Sequence, residues 1–131
     1  MKDCLFCKII AGDIPATKVY EDEHFIAFLD INPVAKGHTL LVPKEHTATI
    51  YEVADEVSKT LFPTVQKLQK AMIQAFEPRK IALAVWAEDV AHAHVHLIPR
   101  YEGDGLQFWK QHKATPDELI LDAEKIINAL D

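Results

Sequence analysis

Apolar and polar positions change rhythm several times along this chain, and each change marks an element. Residues 17–21, 24–29 and 38–43 are short apolar-rich runs that read as three strands. The turn Glu21-Asp22-Glu23 separates the first two, and the breaker stretch Asn32-Pro33-Val34-Ala35-Lys36-Gly37 separates the second and third. The spacing then lengthens. Val57, Leu61, Val65, Leu68, Met72 and Phe76 recur in steps of three and four, the stripe of one long amphipathic helix over residues 53–76. Pro63 falls inside it and is expected to kink or split it. Ile81-Ala-Leu-Ala-Val-Trp86 and residues 92–98 read as two further strands. A C-terminal helix is announced by Thr115 at the N-cap, Pro116 at N1 and Glu118 at N3, with Leu119, Ile126 and Leu130 facing inward. Strands, a helix, more strands and a last helix favour an α+β fold with a mainly antiparallel sheet.

Composition narrows the function classes. The 131 residues suit a single domain over 1–131, and 49% hydrophobic with 26% charged residues is an ordinary globular balance. The net charge is −6 and the basic residues are scattered, so no stripe exists to neutralise a nucleic-acid backbone. A small phosphorylated ligand is still compatible, because a few imidazoles and N–H groups can hold it locally. No apolar run approaches the roughly 20 residues of a membrane helix. The start, MKDCLFCKIIAGDIP, lacks the basic and apolar regions of a secretory signal, so a cytoplasmic location is expected. Cys4 and Cys7 are too close to staple the fold and read as a redox pair, plain thiols or half of a zinc site.

The chemistry concentrates in His92-Ala93-His94-Val95-His96. Alternate residues of a strand share a face about 6–7 Å apart, so the three imidazoles are expected to project together while Ala93, Val95 and Leu97 face the core. Such a row can ligate a catalytic metal. It can equally supply a neutral imidazole nucleophile, with its neighbours stabilising charged oxygens in the transition state. Spacing alone does not choose between them.

With the following Leu97-Ile98-Pro99-Arg100, this segment resembles the histidine triad (HIT) superfamily, whose signature alternates histidine with apolar residues. Cys4-Leu-Phe-Cys7-Lys-Ile-Ile-Ala-Gly-Asp-Ile-Pro15, Val19-Tyr-Glu-Asp-Glu23, Ala27-Phe-Leu-Asp-Ile31 and Gly37-His-Thr-Leu-Leu-Val-Pro-Lys-Glu-His46 look like the family's N-terminal half, in the family's order. The resemblance implies a homodimer of α+β protomers that cleaves a purine nucleotide or nucleoside phosphoramidate through a covalent nucleotidyl-histidine. His94 would be the nucleophile, with His96 and His38 supporting it. Asp30 would hold the ribose hydroxyls, Leu5, Phe6, Ile9 and Ile31 would surround the base, and His92 would stand close to the substrate. Bacterial-type members also imply one structural zinc per chain on Cys4, Cys7, His46 and His92, which would make His92 a metal ligand. His24 and His112 match nothing and read as surface residues. Dimer contacts are expected from the apolar pair Phe108 and Trp109.

The resemblance fails in one place. Family members carry an Asn- and Gly-rich segment ending in Gly-Gln-x-Val before the triad, whose amides hold the α-phosphate. Here the segment is Trp86-Ala87-Glu88-Asp89-Val90, and the chain between Pro78 and His92 is several residues short. Glu88 and Asp89 put carboxylates where neutral donors belong, and like charge opposes an anionic ligand. Either this is a solvated acidic turn pointing away, or phosphate handling is altered. The second reading admits a non-catalytic nucleotide-binding or interaction protein on the same scaffold. A zinc hydrolase using the triad as ligands is a third, disfavoured reading.

Overall fold

The computed structural model describes residues 3–107 and 110–130. Five strands form one antiparallel sheet: β1 (Lys18–Glu21), β2 (Phe25–Leu29), β3 (Thr39–Pro43), β4 (Lys80–Ala84) and β5 (Val95–Arg100). Their order is β1-β2-β3-β5-β4, so the last strand inserts beside β3 and leaves β4 at an edge. The turn into β2 is fixed by Asp22, whose Oδ1 accepts from the backbone N–H of His24 and of Phe25, each at 2.8 Å. Gly37 precedes β3 with φ +89°, and a Cβ there would stand 2.6 Å from the Phe76 ring, so only glycine fits.

Both faces of the sheet are covered, and the period of two sorts the strand residues between them. Phe25, Ala27, Leu41, Val95 and Leu97 pack on one face against Val65, Leu68 and Met72 of α3 (Leu61–Phe76). Ile26, Phe28, Leu40 and Val42 point the other way, against Phe6 of α1 (Leu5–Ala11). Each of the larger side chains here contributes about 1.5–3 kcal/mol when fully buried. The pairing of Leu40 with His96 then puts the His96 imidazole on the α1 face. Register alone delivers that ring to the site.

The expected helix over 53–76 is two: a short α2 (Asp55–Ser58) and the long α3. Pro63 is the third residue of α3, where its missing N–H has no intrahelical partner in any case. Its ring would clash with the carbonyl of Lys59 in a continuous helix, and the chain breaks at Lys59-Thr60. α4 (Pro116–Ala129) begins as the sequence indicates, with Thr115 Oγ1 accepting from the Glu118 N–H at 3.2 Å. Its apolar residues do not turn inward, however. Leu119, Ile126 and Leu130 are 58%, 63% and 76% exposed, and α4 has no buried residue, so its stripe stays outside this chain's core. Phe108 and Trp109 lie outside the described residues. No helix among those described is long and apolar enough to cross a membrane.

Candidate active site and metal centre

The histidine segment is strand only from Val95. Residues 91 and 92 form a bend before it, held by the Ala93 N–H on the Thr47 carbonyl and the His92 N–H on the Val90 carbonyl, both 2.8 Å. The bend divides the three imidazoles. His94 and His96 stay together, with ring centroids 4.9 Å apart, while the His92 ring joins the cysteines.

Hydrogen-bond partners fix where the protons of the remaining rings lie. The Val34 N–H donates to His38 Nδ1 at 3.2 Å, so a neutral His38 carries its proton on Nε2. That proton is donated to His96 Nδ1 at 2.9 Å, which leaves His96 with an N–H at Nε2, facing the site. His94 is set the opposite way. Its Nδ1 lies 2.6 Å from the His92 carbonyl and must donate to it, so a neutral His94 presents a bare lone pair at Nε2. Burial pushes His38 and His96 below the ordinary histidine range, the nearby Asp30 charge partly opposing this at His38. Both rings are therefore neutral near neutral pH. A ring that donates from Nε2, the ring that orients it and a ring with a bare Nε2 lone pair stand side by side.

Asp89 points into this group. Its Oδ2 lies 3.1 Å from His94 Nε2 and 3.2 Å from His96 Nε2. The reading of residues 86–90 as a turn facing away thus fails for Asp89, whose carboxylate meets the histidines although its side chain is 40% exposed; Glu88 is exposed as well. The cause is local backbone. Ala87 adopts φ +66°, a left-handed conformation that costs a residue with a Cβ about 1–2 kcal/mol. The turn this makes aims Asp89 at the histidines. Burial alone would raise the Asp89 carboxyl, but the hydrogen bond and charge of His94, with backbone N–H groups, bring it below the usual carboxylate value. His94 Nε2 and Oδ2 form a hydrogen bond only when a proton lies between them.

The residues assigned to base and ribose also come together. Leu5, Phe6, Ile9, Asp30 and Ile31 line one pocket of about 250 Å³, with Asp89 on its wall. Phe6 closes its floor and meets the His94 ring edge-on at 5.0 Å. Asp30 Oδ1 accepts from the Asn32 N–H at 2.8 Å, and Oδ2 lies 3.7 Å from His38 Nε2. A second pocket, about 340 Å³, opens beyond the histidines between Val34, His38, Trp86 and His96, again with Asp89 on its wall.

Cys4, Cys7, His46 and His92 converge at the start of α1, and neither cysteine is in a disulfide. Sγ of Cys4 is 3.3 Å from His92 Nδ1, Sγ of Cys7 is 3.3 Å from His46 Nδ1, and the two Nδ1 atoms are 3.1 Å apart. These are close to the edges of a tetrahedron with bonds of about 2.3 Å to sulfur and 2.0–2.1 Å to nitrogen. The outer contacts suit it as well. His92 Nε2 donates to the Pro43 carbonyl at 2.8 Å, freeing Nδ1 as a ligand, and the Cys7 N–H donates to Cys4 Sγ at 3.3 Å. Both ring nitrogens of His92 are thereby occupied. Its carbonyl faces His94 and its ring meets Phe6 edge-on at 5.9 Å, but its ring nitrogens turn to the cysteine cluster and to Pro43, unlike the substrate contact expected of it. His24 and His112 lie outside both clusters, His112 exposed and His24 half-buried.

Two parts of the site were not legible as such: the Val34 N–H that sets the relay, and the direction of Asp89. A proline before Val34 and an acid five residues before His94 are weak signals for either.

Comparison with known proteins places this arrangement. The HIT domain family matches residues 11–103. A crystal structure of a HIT family protein from Bacillus subtilis superposes with a TM-score of 0.89 at 43% identity, over 98% of each chain. A Zn-bound histidine triad family protein from Mycobacterium smegmatis gives 0.75 at 32% identity, over 98% of each chain. The adenosine 5'-monophosphoramidase of Schizosaccharomyces pombe is 38% identical over 126 residues, 94% of this chain and 95% of its own. Motif, sheet and family match agree along the same stretch, and the chain belongs to the HIT family.

Proposed function

We propose that this protein hydrolyses nucleoside phosphoramidates or related nucleotides at the α-phosphate, with His94 as a covalent nucleophile. One observation carries the reading: the His92 carbonyl, 2.6 Å from His94 Nδ1, holds the ring so that a neutral imidazole aims a lone pair from Nε2 into the site. That lone pair would form a bond to phosphorus as the phosphorus–nitrogen bond to the amine breaks, the amine leaving with a proton from solvent that the attacking water gives back in the second step. Water would then release the monophosphate and restore His94. The His96 N–H, held in place through His38, would donate to a phosphoryl oxygen as charge builds there. Asp30 would take the ribose hydroxyls, and Leu5, Phe6, Ile9 and Ile31 a purine base. The activity named for the Schizosaccharomyces pombe relative supports this class of substrate.

Cys4, Cys7, His46 and His92 would hold one structural zinc, supported by their spacing and by the Zn-bound relative. The ion would tie α1 to the end of β3 and to the bend before β5, supplying rigidity and not the chemical step. A second reading, nucleotide binding without turnover, is favoured by Asp89, which covers the nucleophilic nitrogen. Adenosine 5'-phosphoramidate separates the readings. AMP release that survives a chelator supports the nucleophile and excludes a catalytic metal. Binding with no release selects the second reading.

The partner would be a second copy of the chain. The edge strand β4 exposes Leu83, with Val85 just beyond it, and Phe62 stands beside them on α3 at 64% exposure. An apolar edge of this kind is normally covered. Light scattering should report twice the 14.8 kDa chain mass, and Leu83→Asp should shift the species toward that mass. A wild-type monomer at micromolar concentration would remove the dimer from this picture.

A further inference from the structure

The protein carries an oxyanion of its own in the catalytic group. Asp89 Oδ2 touches His94 Nε2 and His96 Nε2, the two atoms that would otherwise meet phosphorus and a phosphoryl oxygen. The same side chain forms part of the wall of both pockets, the one holding Asp30 and Phe6 and the one holding His38 and Trp86. A nucleotide reaching from the first pocket into the second must displace this carboxylate. It has somewhere to go, because the Asp89 side chain is 40% exposed. Displaced, it remains attached to the same turn and stays within a side chain's swing of the phosphoryl group.

We propose that Asp89 is a specificity-determining residue that makes this site select a singly charged α-phosphoryl group over a dianionic monoester. The inference rests on the nucleotidyl reading above and adds the charge of the group accepted. The physical reason is the contrast between substrate and product. A phosphoramidate, phosphodiester or comparable α-phosphoryl group carries one negative charge, whereas a phosphate monoester carries about 1.5–2 near neutral pH. Both must displace the carboxylate, but only the monoester brings the second charge against it. Repulsion of this kind grows with the product of the charges and is strongest in a partly desolvated site. Hydrolysis converts the favoured charge state into the disfavoured one, so the same residue that admits substrate would hasten release of the monophosphate. A neutral side chain at this position would not discriminate in this way.

Calorimetric titration with two stable probes tests the proposal: AMP, the dianion, and adenosine 5'-methyl phosphate, its singly charged ester. Wild type, Asp89→Asn and Asp89→Ala are compared at low salt and mildly alkaline pH, with melting temperatures to confirm folding. Asp89→Asn keeps the size of the side chain and removes only its charge. It should tighten AMP by about ten-fold or more and the methyl ester by about three-fold or less, and the gap should narrow as salt rises. Asp89→Ala should follow the same order. Equal tightening of both probes would make Asp89 a plug without charge selectivity and overturn the proposal. Unchanged or weaker AMP binding would do so as well. Zinc or manganese alone binding a site that vanishes in Asp89→Asn would make Asp89, His94 and His96 a metal centre instead. Failure of every form to bind either probe would remove the nucleotidyl reading along with this one. Binding by all with an unchanged ratio would remove this one alone.

Discussion

His94→Ala is expected to lower turnover of adenosine 5'-phosphoramidate by roughly 10^4-fold or more while leaving AMP binding within a few-fold of wild type. The asymmetry follows from where the ring sits. His94 is buried with its Nδ1 committed to the His92 carbonyl, so its only free chemistry is at Nε2. The ligand contacts proposed at Asp30, Ile9 and Ile31 lie on other elements and survive the truncation. His96→Ala should cost less, about 10^2–10^3-fold, because a donor to a developing oxyanion lowers the barrier without forming the bond. Rapid quench into alkali and intact-mass measurement should catch wild-type protein heavier by one nucleotidyl group, and the His94 variant should never show it. Full activity in His94→Ala would end the mechanism.

The elements that pack this chain's core were legible in the sequence because their apolar rhythm is uninterrupted. β2 and β3 alternate between the two buried faces, and α3 repeats every three or four residues onto one of them. The capping box at Thr115 located α4 for a local reason that owes nothing to packing. What α4 covers was not legible, because an amphipathic stripe states that something is buried and not whose core buries it. The triad shows the same limit more sharply. Period two placed His96 correctly by register, but it could not foresee that the chain bends at residues 91 and 92. That bend depends on bonds to Thr47 and Val90, one of them more than forty residues away. Asp89 is harder still. Its aim follows from a left-handed Ala87, and nothing in alanine's ordinary preferences announces that conformation.

Residue 92 joins the two halves of the candidate site, and that junction sets the expected result of removing the metal. Its ring belongs to the cysteine cluster, while its carbonyl holds His94, the proposed nucleophile. Protein prepared without chelators should carry about one zinc per chain, and Cys4→Ser or His46→Ala should lose it. An ion held by the folded chain alone at about a thousand times its dissociation constant adds about 4 kcal/mol of stability. At about 3–6 °C per kcal/mol for a chain of this size, either variant should melt roughly 10 °C or more below wild type. Below that transition, turnover should fall by less than about ten-fold, since the proposed ion would steady the His92 carbonyl without touching the reacting atoms. A catalytic zinc would give the opposite pattern, with activity lost entirely on chelation. Metal analysis showing no zinc would return Cys4 and Cys7 to plain thiols, and the Pro43 and Thr47 contacts would then have to hold residue 92 unaided.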